Sequence, residues 1–448
     1  MKKVLFILMA LVLALSVGLI GCGAPAEEEE VPPRPTKVVI GVSSDLSGPL
    51  KDIRAAALSP ILAVYLNELN AAGGLLLKEY GATYRVPVEV KEYDDGGDIA
   101  TMIANTEKLI TQDKVDFMFG ATGTAMISAQ ASVVNGLKYV LLTFEGGATQ
   151  MKETLPGMPY VFVNLSFSDW YQMPVLAKML KEKGASTAYV VWIEDLHGIE
   201  YNGQASIAFA AEGITVVKSV GISADPATAA AQAPGIIADA KDKNADVFCM
   251  FCYPAQIFPL TGQAIAQGFN PKAMIGGPGA NFGFYHIELG GTPYQKGLTE
   301  GIMCFAIANS KTSPAMKTMY EKMEAFWNTV NPFPGASFYL KDFWGHPIYW
   351  SVMQIWQKAV EDIGYVNQDK LKDALKTGTF NTILSPMTTY KMFGAGGGLL
   401  DYKTHTGEIG QWQNGYIEIV GYTGITSDLP NYKVTAPFIY PKPAWPAP

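Results

Sequence analysis

The sequence predicts an α/β protein made of two successive doubly wound parallel-sheet units, with helices on both faces of each sheet. Three observations carry this reading. Apolar runs of strand length alternate with longer helix-like segments, and the alternation restarts near residue 160. About 410 residues follow residue 36, enough chain for two domains with real cores.

Lys37 to Val42 reads as the first strand. After a polar loop, Ser59 as N-cap and Pro60 as first helical position open a helix that runs to Ala72, before Gly73 and Gly74. Val86 to Glu92 is the second strand, Ala100 to Thr111 a helix, and Val115 to Phe119 the third strand. Ala125 to Val134 is a helix and Tyr139 to Thr143 the fourth strand. This rhythm implies right-handed crossovers and an open parallel sheet. In the second set, Ala188 to Ile193, Thr215 to Val220 and Val247 to Cys252 are strands. Gly203 to Glu212, Ala229 to Asp239 and Pro259 to Gln267 are helices. Met274-Ile275 and Ile302 to Ala306 close that set. Such sheets bind ligands beyond the carboxyl ends of their strands, so two lobes facing each other would share one crevice.

The N-terminus reads as an export signal. Lys2 and Lys3 precede an apolar run from Val4 to Ile20. The run ends in Leu19-Ile20-Gly21-Cys22, which resembles the lipobox of bacterial lipoproteins. The resemblance implies cleavage before Cys22 and acylation there, with two or more chains giving stable anchoring. An uncleaved membrane anchor is the bland alternative, since the run is at the lower edge of spanning length. Gly23 to Ala26, four glutamates (Glu27 to Glu30) and the proline-rich Val31 to Pro35 cannot bury a core. Residues 1–21 are therefore read as signal peptide and 22–36 as a tether, with an acidic binding tail as the other reading of the glutamates.

Composition narrows the function. The first 21 residues hold two lysines and no acid, so the remainder carries 31 basic against 41 acidic residues, a formal charge of −10. An acidic body without a basic cluster argues against nucleic acid and against anionic membrane surfaces. Beyond Cys22 only Cys249, Cys252 and Cys304 remain. Cys249 and Cys252 have redox-motif spacing, but three apart on a strand they point to opposite faces, so buried structural thiols are the better reading. His197, His286, His346 and His405 are scattered, and no metal, nucleophile-elbow or phosphate-loop motif is present. The glycines from Gly394 to Gly398 precede no helical pattern and read as a turn. No cofactor is expected. An exported hydrolase is the rival class.

Four stretches resemble the branched-chain amino acid-binding family of ABC-transporter substrate-binding proteins, which have the type I periplasmic-binding fold. They are Val39 to Pro49 with its Ser-Gly-Pro turn, Leu66 to Gly74, Tyr93-Asp94-Asp95 followed by Asp98, and, most specific, Lys108 to Gly120. The resemblance covers about residues 37–420. It implies two lobes joined by a three-crossing hinge: lobe one at 37–155 plus about 306–388, lobe two at 156–305 plus about 389–448. It also implies a non-enzymatic, monomeric, lipid-anchored extracytoplasmic protein that passes a small solute to a membrane permease. A ligand sensor for a signalling receptor is the alternative sharing this fold.

Family binding positions carry over one at a time. The hydroxyl at a helix start becomes Thr124, where a helix N-terminus suits a carboxylate. The loop after strand four becomes Phe144 to Gly147, with Gly147 replacing a hydroxyl and Glu145 an added charge. The first-loop position is Ile53 or Arg54. In lobe two, His197 and Tyr253 take the aromatic positions, and Gly279 stands where amino acid binders have the acid that holds the ammonium. Trp344 is expected to line the cleft from lobe one. Each has a plainer reading: Thr124 as helix cap, His197 as loop histidine, Tyr253 and Trp344 as core aromatics, Arg54 and Glu145 as solvated charges. Burying an ammonium without a carboxylate costs several kcal/mol, so Gly279 tilts the expected ligand toward an organic or aromatic acid, or an amide. A branched-chain amino acid is the runner-up, with Glu145 as its partner.

Overall fold

A computed structural model describes residues 31–144, 146, 149–165, 168–330, 336–401, 408–421 and 434–445. Cys22, Glu145 and Gly147 lie outside the described residues. The strands in chain order are β1 (Val38–Ser44), β2 (Leu75–Leu76), β3 (Arg85–Val86), β4 (Val88–Asp94), β5 (Phe117–Phe119), β6 (Leu141–Leu142), β7 (Val161–Val163) and β8 (Thr187–Ile193). They continue with β9 (Thr215–Ile222), β10 (Val247–Phe251), β11 (Ala273–Gly276), β12 (Met303–Phe305), β13 (Thr389–Met392), β14 (Gly398–Asp401), β15 (Ile409–Gln413) and β16 (Tyr416–Ile419).

Two seven-stranded sheets result, with spatial orders β13, β14, β7, β6, β5, β1, β4 and β16, β15, β12, β11, β10, β8, β9. Each is a five-strand parallel doubly wound unit extended at one edge by a late hairpin. The β13–β14 hairpin joins β7 in parallel, and the β15–β16 hairpin joins β12 antiparallel. The inner strands are apolar because both faces are covered; every residue of β10 is buried, and Cys249, Cys252 and Cys304 are buried and unpaired. The glycines at 394–398 form the turn of the β13–β14 hairpin, with Gly394 at φ +61°.

The chain passes between the sheets three times: between β7 and β8, between β12 and β13, and between β14 and β15. Sheet membership sets the first sheet's edges later than expected. β7 lies past residue 155 and the β13–β14 hairpin past residue 388, yet both belong to the first sheet. Short strands at a sheet edge carry too little apolar pattern to announce which sheet they join.

The first long helix also departs from expectation. It runs over Lys51–Ala71, with Pro60 inside it rather than at its start. A proline mid-helix removes the N–H that would bond the carbonyl four residues back, here Ala56 O. His346, in the first turn of the helix Gly345–Ile363, takes that carbonyl with Nε2 at 2.8 Å. Its Nδ1 accepts from the Asp342 N–H at 3.3 Å, which fixes the tautomer. Burial pushes the His346 imidazole down to about 4, so it stays neutral and can serve both partners.

Among the described residues, no helix is long and apolar enough to cross a membrane.

Candidate functional site

Both sheets offer a switch point where the chain leaves neighbouring strands in opposite directions, between β1 and β5 and between β8 and β10. A cleft lies at these carboxyl ends and holds about 570 Å³ of space free of protein atoms, its mouth included. Ile53 follows β1, Thr122 to Thr124 follow β5, His197 follows β8, Tyr253 follows β10, and Asn281 follows β11.

On the first sheet's side, Thr124 opens the helix Thr124–Gly136 and Gly123 (φ +95°) is its N-cap, with no side chain capping the helix. Its first N–H groups and positive end therefore face the cleft without a competing carboxylate. Gly146 packs so closely here that a Cβ would come within 2.7 Å of Thr124 N. Thr122, which the sequence reading passed over, is only 2% exposed, and its Oγ1 has no hydrogen-bond partner among the described residues.

On the second sheet's side, His197 lies in the first turn of the helix Leu196–Ala211, whose N-cap Asp195 accepts from Gly198 N at 2.9 Å. The imidazole stacks on Tyr253 with ring centroids 4.9 Å apart and an interplanar angle of 21°, and packs on Tyr201 at 4.3 Å. It is 4% exposed, its Nε2 has no partner among the described residues, and burial holds it neutral by pushing its pKa down to about 3. A buried polar atom without a partner costs about 1–3 kcal/mol. Thr122 and His197, which follow strands of opposite sheets, line the same cleft.

Two further polar groups reach it. Asn281 Nδ2 donates to Asp342 Oδ1 at 2.8 Å, and the Trp344 N–H donates to the same oxygen at 2.9 Å. Burial raises the Asp342 carboxyl to about 6. Neither Asn281 nor Asp342 stood out in sequence. Tyr201 could have, since it follows His197 by four residues and shares its helix face. The remaining walls include Leu50, Leu165, Phe282 and Tyr349.

Trp344 lines the cleft, and its indole N–H is already engaged, donating to Glu408 Oε2 at 2.9 Å. Gln172 Nε2 donates to that same oxygen at 2.7 Å, and Tyr201 OH donates to Gln172 Oε1 at 2.6 Å.

Arg54 is a correction. It turns away from the cleft, and its guanidinium pairs with Glu92 and donates to Ser44 Oγ (2.9 Å) and Ser59 Oγ (2.7 Å). One residue is about 100° of helix, so Ile53 faces the cleft and Arg54 does not. Gly279 is not itself a wall; it adopts φ +119°, its N–H donates to Asn281 Oδ1 at 2.9 Å, and Pro278 and Asn281 beside it line the cleft. Among the described residues no cluster of His, Cys, Asp and Glu could hold a metal ion.

Solved structures share this architecture. The branched-chain amino acid transporter substrate-binding protein LivJ of Streptococcus pneumoniae, in complex with isoleucine, is 17% identical, with 86% of this chain and 99% of that one covered at TM-score 0.67. The leucine-binding protein LivK of Thermotoga maritima is 18% identical, covering 85% and 97% at TM-score 0.65. A solute-binding protein of an ABC transporter from R. palustris, in complex with benzoate, is 17% identical, covering 90% and 99% at TM-score 0.66. At these identities the likeness is one of fold. The periplasmic binding protein family model matches residues 37–415, and the chain belongs to that family.

Proposed function

We propose that this protein captures a small organic solute, an organic or aromatic acid or an amide, in the cleft and delivers it to the membrane permease of an ABC importer. One observation carries the reading. Thr122 Oγ1 and His197 Nε2 are buried without partners on opposite walls of an otherwise largely apolar cleft. A carboxylate or carbonyl between them would accept from the threonine hydroxyl, the neutral imidazole and the open helix end at Thr124. The stacked His197 and Tyr253, with Trp344, suit a flat or apolar body. Membership of a binding-protein family supports capture rather than turnover, and the three crossings suit hinge closure.

Lipid attachment at Cys22, with residues 22–36 as tether, would keep this monomer beside the permease on the outer side of the membrane. Its acidic balance suits neither nucleic acid nor an anionic membrane surface.

The test is a thermal-shift screen of acids, amides and amino acids on protein lacking residues 1–30. A true ligand at 100 times its Kd adds about 2.7 kcal/mol of stability. A branched-chain amino acid is the second reading, and Asp342 favours it as a buried carboxylate at the cleft that could face an ammonium. Titrating leucine, isoleucine and valine beside their deaminated acids separates the two. If only the amino acids bind, the acid reading is wrong.

A further inference from the structure

Beside the cleft, sharing its walls at Leu50 and Tyr253, lies a second chamber holding about 770 Å³ of space free of protein atoms, its mouth included. Leu50, Thr122, Gly123, Thr124 and Tyr253 line both chambers, so a group held by Thr122 lies at their junction. The outer walls are mainly apolar: Pro49, Ile99 and Met126 on one side, Ile193, Ala224 and Ala255 on the other. Ile99 is 43% exposed, a large apolar side chain left in water at the rim.

Besides Thr122 Oγ1 at the junction, this mainly apolar lining holds a second polar atom without a partner among the described residues. Gln256 is 1% exposed, and its Nε2 donates to Ser223 O at 3.2 Å and Ala224 O at 3.3 Å, which identifies the other amide atom as the oxygen. That Oε1 has no partner among the described residues. The two carboxylates in the lining already serve the backbone, Asp45 bonding the N–H groups of Gly48 and Leu50, and Asp195 that of Gly198. No lysine or arginine lines the chamber. An acceptor in an apolar, cation-free space calls for a donor on the ligand rather than a second acid.

We propose that the solute is bipartite. On the reading above, its acid or carbonyl head sits between Thr122 and His197, and an apolar arm passes Leu50 and Tyr253 into the outer chamber, ending in an O–H or N–H that donates to Gln256 Oε1. The solute is then longer than a free amino acid or benzoate.

Titration calorimetry on the full chain tests this with straight-chain acids from acetate to decanoate and their ω-hydroxy counterparts. Affinity should rise with length until the arm spans the outer chamber, and there the ω-hydroxy acid should bind roughly fivefold tighter than its plain partner. Gln256→Leu should bring the two series together, and Ala255→Trp should penalise long acids more than short ones. A hydroxyl preference that survives Gln256→Leu, or affinity independent of length, overturns the bipartite solute while short-acid binding upholds the acid reading. If no acid of either series binds, both fall.

Discussion

Gln172 and Glu408 lie 236 positions apart in sequence, yet Gln172 Nε2 donates to Glu408 Oε2 at 2.7 Å. Trp344 Nε1 donates to the same oxygen. Gln172, Trp344 and Glu408 stand one on each of the three segments that join the sheets, so a single buried carboxylate ties the crossings together. Tyr201 and Trp344 also line the cleft, which connects its walls to this junction. Glu408→Ala would leave an indole and an amide donor buried without an acceptor and should cost about 3 kcal/mol, whereas Glu408→Gln, keeping an oxygen, should cost about 1 kcal/mol. Urea denaturation of the two variants measures the difference.

The bond from His346 to the Ala56 carbonyl compensates for Pro60. His346→Phe should cost about 2 kcal/mol because that carbonyl and the Asp342 N–H lose their partner. Pro60→Ala restores an N–H to the helix at the right place. Combined with His346→Phe it should recover part of the loss, and a double-mutant cycle by chemical denaturation checks this. Strict additivity would mean that the proline and the histidine are unrelated.

Thr122 and Thr124 should respond with different signs. Thr122→Val removes a buried hydroxyl without a partner, so the unliganded protein should gain about 1 kcal/mol while losing affinity for an acidic ligand. Thr124→Ala should weaken binding of a charged head group by about 1.5–3 kcal/mol, and of a neutral one by less. Thermal melts with and without ligand read both effects.

His197 sets a pH dependence. Its folded pKa is lowered to about 3, below the ordinary value of 6.5, so the unfolded chain binds the proton first. Its contribution to stability is therefore fully present above pH 6.5 and declines as the pH falls toward 3. Replacing it by glutamine should flatten the stability profile in that window by up to about 1.4 kcal/mol per pH unit. Denaturation midpoints measured at pH 7 and pH 5 give the slope.

Anchoring should depend on one thiol. Cys22→Ser should abolish incorporation of a labelled fatty acid in the bacterial host, and persistent labelling of that variant would show the lipobox reading to be wrong.

Much of the fold is legible because buried parallel strands are nearly continuous apolar runs, as in Val247 to Phe251. The start of the first helix was not. Ser59-Pro60 imitates a helix beginning, and the carbonyl that Pro60 leaves open inside that helix is taken by His346, far along the chain. Thr124, His197, Tyr253 and Trp344 come from the family resemblance rather than from spacing, and the structure brings all four to one cleft. Arg54 failed for a local reason, one step of helix rotation. Thr122 and Gln256 are conspicuous only through an atom that lacks a partner, and that is a property of packing that residue spacing does not encode. The junction at Glu408 depends on topology, since its three members come from three different crossings.

The late hairpins constrain the order in which the molecule can be assembled. Gly398 and Leu399 of β14 pair with Phe162 and Val163, and β15 covers the edge of Met303–Phe305 through Ile409 to Gln411. As the chain emerges from its N-terminus, β7 pairs at once with β6 but waits for more than half of the chain's length before its second neighbour, β14, arrives, and β12 waits about a hundred residues for β15. Open strand edges invite pairing with other chains. The growing polypeptide thus carries two sticky borders until its closing segments appear.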